Sequence, residues 1–72
     1  MRDEAQDEQR GHSLMEQVDE AKRELMMRRR VYPGWVRAGR LNPLVAKRQI
    51  GLQADIIDSL TELAQRRGEI LL

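Results

Sequence analysis

Seven basic side chains crowd into a stretch of twenty-one residues: Arg28, Arg29, Arg30, Arg37, Arg40, Lys47 and Arg48. No acidic residue interrupts them. Cations at this density raise a local positive potential, which attracts phosphate or a carboxylate-rich protein surface. Tyr32 and Trp35, the only aromatic residues, stand inside the block, and a ring among arginines offers a base a face to stack on. The same residues also have structural uses. Arg28 follows Glu24 at ion-pair spacing for a helix, Arg28 to Arg30 suit a helix C-terminus, and Trp35 has the bulk to plug the end of a helical hairpin. The plug is the expected role of Trp35.

Other groups capable of chemistry are scattered. His12 is the single imidazole, and a general base needs a positioned partner and a pocket. Ser13 is better placed to cap a helix than to attack a carbonyl. Ser59 stands at helical distance from Asp55 and Glu62 with no His near it in sequence. Asp55, Asp58 and Glu62 have the donor type for a metal, but at helical spacing they line one wet face. Cysteine and Gly-rich phosphate loops are absent. The expectation is no enzyme, no metal, no cofactor and no small-molecule substrate.

The elements that must carry the basic block are helices. Ser13-Leu14-Met15-Glu16 has capping-box spacing, and Leu14, Val18, Ala21 and Leu25 follow at intervals of 4, 3 and 4. That rhythm is one helical stripe. Asp19/Arg23 and Glu24/Arg28 are expected ion pairs on its wet side. Pro33 disfavours helical geometry at Tyr32, so this helix is expected to end near Arg30. Tyr32 to Gly39 then forms either a type II turn on Pro33-Gly34 or a short helical corner that Gly39 terminates, and the corner is preferred. A second long helix starts at Asn42 (cap) and Pro43 (first turn). Its stripe is Ala46, Ile50, Gln53, Ile57, Leu60 and Ala64. Arg66 and Arg67 meet its negative end, and Gly68 supplies a left-handed stop. Glu69 to Leu72 is a short apolar tail. Residues 1–12, acidic and almost without apolar side chains, read as a flexible acidic N-terminal arm; residues 13–72 read as the helical hairpin domain.

The fold expected is all-α: a long helix, a short helical corner and a long helix folded as an antiparallel hairpin. A chain of 72 residues buries only about 60% of its unfolded surface. Yet the second helix carries another apolar row, Val45, Leu52, Ile56 and Leu63, beside the first. One hairpin partner covers one side of such a helix, and monomers seldom leave contiguous apolar patches exposed. The chain is therefore expected to form a homodimer, a four-helix bundle, with Leu52, Ile56, Leu63 and Leu60 at the interface. Net charge is only +1, but residues 22–48 hold nine basic side chains and one acidic, with acidic blocks on both sides. A hairpin gathers the positive block at its closed end. No stretch approaches the roughly 18 apolar residues of a membrane span, and the polar N-terminus and lack of Cys suit the cytoplasm.

The segment Glu24-Leu25-Met26-Met27-Arg28-Arg29-Arg30-Val31-Tyr32-Pro33-Gly34-Trp35-Val36-Arg37-Ala38-Gly39-Arg40-Leu41 resembles a class of small phage and prophage proteins. These share an E-x-x-M-R-x-x-V-Y-P-x-W-V-x-x-G-[RK]-[ML] core followed by a helix, matched here by Ala46, Ile50 and Ile57. The resemblance spans roughly residues 24–60. Gly34 stands where a larger residue is more usual, and Asn42-Pro43-Leu44 replaces a more polar helix start. It implies a phage context rather than an activity. The reading that follows is a non-enzymatic accessory protein in the host cytoplasm. It would bind and modulate a host macromolecule, an enzyme or a defence complex, through Arg28, Arg29, Arg30, Arg37, Arg40, Lys47 and Arg48. Nucleic-acid binding in phage recombination or gene control is one alternative, and a structural assembly adaptor is another.

Overall fold

The computed structural model describes residues 11–69, and two helices account for nearly all of them: α1, Leu14–Arg37, and α2, Pro43–Arg66. They pack against each other as an antiparallel hairpin, and no strand occurs among the described residues. Most of the expected acidic arm and the last three residues of the apolar tail lie outside the described residues.

Matched heptad rhythms hold the pair together. Leu14, Val18, Ala21, Leu25, Arg28 and Tyr32 repeat at 4, 3, 4, 3, 4 along α1, and Ala46, Ile50, Gln53, Ile57, Leu60 and Ala64 do so along α2. Run antiparallel, the rows bring small Ala21 against large Ile57. Leu14, Val18, Ala21, Tyr32, Ala46, Ile57 and Ala64 are buried. Leu25 and Leu60 pack against the Val18–Ala21–Ile57 cluster. Leu60, half-buried, therefore contributes to the seam inside the hairpin. Its wheel position, 20° from Gln53 at 100° per residue, points it at α1.

Polar groups lock the register. Gln53 is buried, and its Nε2 donates to the Ala21 carbonyl at 3.0 Å. Tyr32 Oη donates to Gln49 Oε1 at 3.0 Å. No buried side-chain polar atom among the described residues lacks a partner.

The open end is latched. Ser13 and Glu16 form the expected capping box, with Glu16 N–H donating to Ser13 Oγ at 3.0 Å and Ser13 N–H to Glu16 Oε1 at 2.9 Å. The next two free N–H groups, of Leu14 and Met15, donate to Glu69 Oε1 at 3.0 and 3.4 Å. All four N–H groups that a helix start leaves without partners thus have one, and Glu69 supplies two from beyond the far helix. Gly39 and Gly68 adopt φ of +75° and +76°. After each, the next N–H reaches back, Arg40 to the Trp35 carbonyl at 2.8 Å and Glu69 to the Ala64 carbonyl at 2.9 Å. Both helices therefore end in the Schellman arrangement.

The expected end of the first helix is corrected. α1 runs through Pro33 to Arg37, so the separate short corner is its last turns. Pro33 removes the bond that the Arg29 carbonyl would accept. Both residues are exposed, so that carbonyl faces water. Packing of Tyr32 and the Gly39 stop favour the continued helix. Arg23 pairs with Glu20 at 2.7 Å rather than with Asp19, while Arg28–Glu24 forms at 2.9 Å.

Candidate functional site

The closed end of the hairpin is the site the sequence nominates, and the helix lengths place it. Each 24-residue helix is about 36 Å long. Half the molecule, residues 25–54, carries seven basic and no acidic side chains. The open half, residues 11–24 and 55–69, carries four basic and eight acidic. The two helix dipoles are antiparallel and largely cancel at the corner, so the field there comes from side-chain charge.

Six of the seven nominated cations, Arg29, Arg30, Arg37, Arg40, Lys47 and Arg48, are exposed. Arg30 and Arg37, seven residues apart, lie on one line of α1, and Arg37 is the basic residue of its last turn. Arg40 sits just past the Gly39 stop. Lys47 and Arg48 occupy the second turn of α2, whose first turn holds no acid. Arg28 does not join them. Its Nε donates to Glu24 Oε2 at 2.9 Å and its Nη1 to the Gln49 carbonyl at 2.8 Å. That half-buried guanidinium is a strut between the helices. The seam rhythm carries the signal, because Arg28 falls on the Leu14–Tyr32 row.

Trp35 does not plug the end. It is 43% exposed and lies on Tyr32 with ring centroids 5.5 Å apart and planes tilted by 32°. Tyr32 is the residue that closes the seam. Trp35, half-exposed, presents aromatic surface among the arginines.

The other candidates settle into structural work. Ser13 Oγ accepts the Glu16 N–H as a cap. His12 is exposed, with Nδ1 3.8 Å from Glu16 Oε1. A depression of about 330 Å³ lies there, lined among the described residues by His12, Glu16, Gln17 and Glu20. Glu16 is held by the capping box. Asp55, Asp58 and Ser59 are exposed, and Glu62 pairs with Arg66 at 3.4 Å. Among the described residues no group of His, Asp or Glu is arranged to hold a metal. The Arg23 guanidinium has its pKa pushed up, first by the hydrogen bonds it donates to Glu20 and then by that carboxylate's charge. No described helix is long and apolar enough to cross a membrane.

The row expected at a dimer interface is open to solvent along most of its length. Val45, Leu52 and Ile56 are 41%, 46% and 47% exposed, and Leu63 is half-buried. Sequence reasoning missed the Glu69 latch and the Arg28 strut, both of which join residues more than twenty positions apart. Comparison with protein-family models, with curated proteins and with solved structures finds no match to this chain.

Proposed function

We propose that this chain is a non-enzymatic accessory protein of the phage type its sequence resembles. It self-associates and docks its basic corner on an acidic surface of a host macromolecule, an enzyme or a defence complex in the host cytoplasm, occluding that surface. One observation carries the reading. Six exposed cations gather at the closed end, with no carboxylate among residues 25–54 to neutralise them. Arg37 and Arg40 flank the point where the chain reverses, at the centre of that charge.

Reversing both, Arg37→Glu with Arg40→Glu, changes the local charge by four units without touching the seam. Capture of a host protein from lysate by the parent and loss of that capture by a folded double variant is the expected result. Equal capture by both proteins removes the corner from the function and leaves the assembly-adaptor reading. The half-exposed Trp35 among arginines favours nucleic acid as the second reading. It predicts a gel shift at low salt that weakens steeply as salt rises and weakens again in Trp35→Ala.

A further inference from the structure

The second apolar row of α2 is a complete heptad seam. Val45, Gln49, Leu52, Ile56, Ser59 and Leu63 repeat at 4, 3, 4, 3, 4, the rhythm of the row already packed against α1, displaced by one residue. Its order reads the same from either end: apolar, polar, apolar, apolar, polar, apolar. Val45, Leu52 and Ile56 are each over 40% exposed, so three of the seam's four apolar positions are open to solvent among the described residues.

A parallel partner would set the basic half of one copy on the basic half of the other, seven positive charges against seven. An antiparallel partner sets that half on the half with eight acidic and four basic side chains. Attraction replaces repulsion along both ends. We propose that this seam binds a second copy of the chain with α2 against α2, antiparallel, about a two-fold axis between Leu52 and Ile56. The inference rests on the self-association already proposed and fixes its geometry. Val45 then packs on the partner's Leu63, Leu52 on the partner's Ile56, and Gln49 stands opposite the partner's Ser59. The palindromic order matters because a two-fold interface must be complementary to itself. Every apolar layer meets an apolar layer, and each polar layer meets a polar one. Arg48, on the rim, comes within about 3 Å of level with the partner's Glu62 at 1.5 Å rise per residue.

The chain has no cysteine, so introduced thiols report cleanly. Val45→Cys and Leu63→Cys are made separately; both sites lie off the seam that folds the hairpin. The two variants are mixed in equal amounts in a glutathione redox buffer, and disulfide-linked species are identified by mass. In the antiparallel dimer, position 45 meets position 63, whereas two copies of position 45 stand about 27 Å apart, far beyond disulfide reach. The mixed disulfide is therefore expected in large excess over either same-residue disulfide. Dominant same-residue disulfides, or none, overturn the antiparallel seam. Light scattering of the unmodified chain separates the two failures. A dimeric mass without the mixed disulfide leaves self-association standing and rejects this geometry, while an 8.4 kDa mass at tens of micromolar rejects both.

Discussion

Glu69 is one side chain that ties the two ends of the described chain together, and replacing it measures what the open end of the hairpin is worth. Its carboxylate accepts the Leu14 N–H at 3.0 Å and the Met15 N–H at 3.4 Å. The second lies outside the usual range for N–H···O bonds and counts for little. The first is a charge-assisted bond at a helix N-terminus, where loss of a capping acceptor costs about 0.5–2 kcal/mol. Glu69 is exposed, so water can replace it, which places Glu69→Ala near 1 kcal/mol. Glu69→Gln keeps an oxygen acceptor and loses the charge–dipole attraction, about 0.5 kcal/mol. For a domain this small, 1 kcal/mol moves Tm by roughly 4–8 °C. Thermal melts followed by far-UV circular dichroism, at one protein concentration because association shifts Tm, should fall in the order parent, Gln, Ala. Glu62→Ala is the control. Its pair with Arg66 is 3.4 Å long between exposed side chains, worth about 0–0.5 kcal/mol. Amide exchange at Leu14 and Met15 should speed up in Glu69→Ala alone. A Tm loss no larger than the control's, with unchanged exchange at those amides, refutes the latch.

Two further outcomes follow from the seam and its stop. Gln53 donates to the Ala21 carbonyl, which also accepts the Leu25 N–H in the helix ladder. Gln53→Leu orphans nothing on α1 and should keep stability within about 1 kcal/mol, whereas Gln53→Ala opens a void costing about 2 kcal/mol; urea titration decides, and equal losses in the two variants would show that the hydrogen bond, which both remove, dominates the site. Gly39 sits at φ +75° with no atom within 4 Å of a Cβ placed there, so Gly39→Ala should cost about 1 kcal/mol from backbone strain alone, seen as a Tm loss with unchanged helix content.

Much of this hairpin was legible in the residue order, because its signals are local. Ser13 with Glu16, Asn42 with Pro43, and the two stop glycines act within a single turn, and the heptad rows state which face of each helix is apolar. Propensity misled at Pro33. The restriction it places on Tyr32 is a local cost, and the burial of Tyr32 against α2 outweighs it, a gain that exists only once the helices are paired. The basic corner was visible as charge, but the sequence could not separate the strut from the surface. Arg28 and Arg29 are neighbours in the chain, yet 100° of helix turn points one at the Gln49 carbonyl and the other at water. The same holds for Leu60, one of two adjacent rows whose division between seam and exterior depends on where α1 lies. Helix identity, ends and charge polarity are set by interactions within a few residues; which cation is free, which ring is covered and what caps the open end are set by contacts across the pair, and these exist only after the chain has folded back on itself.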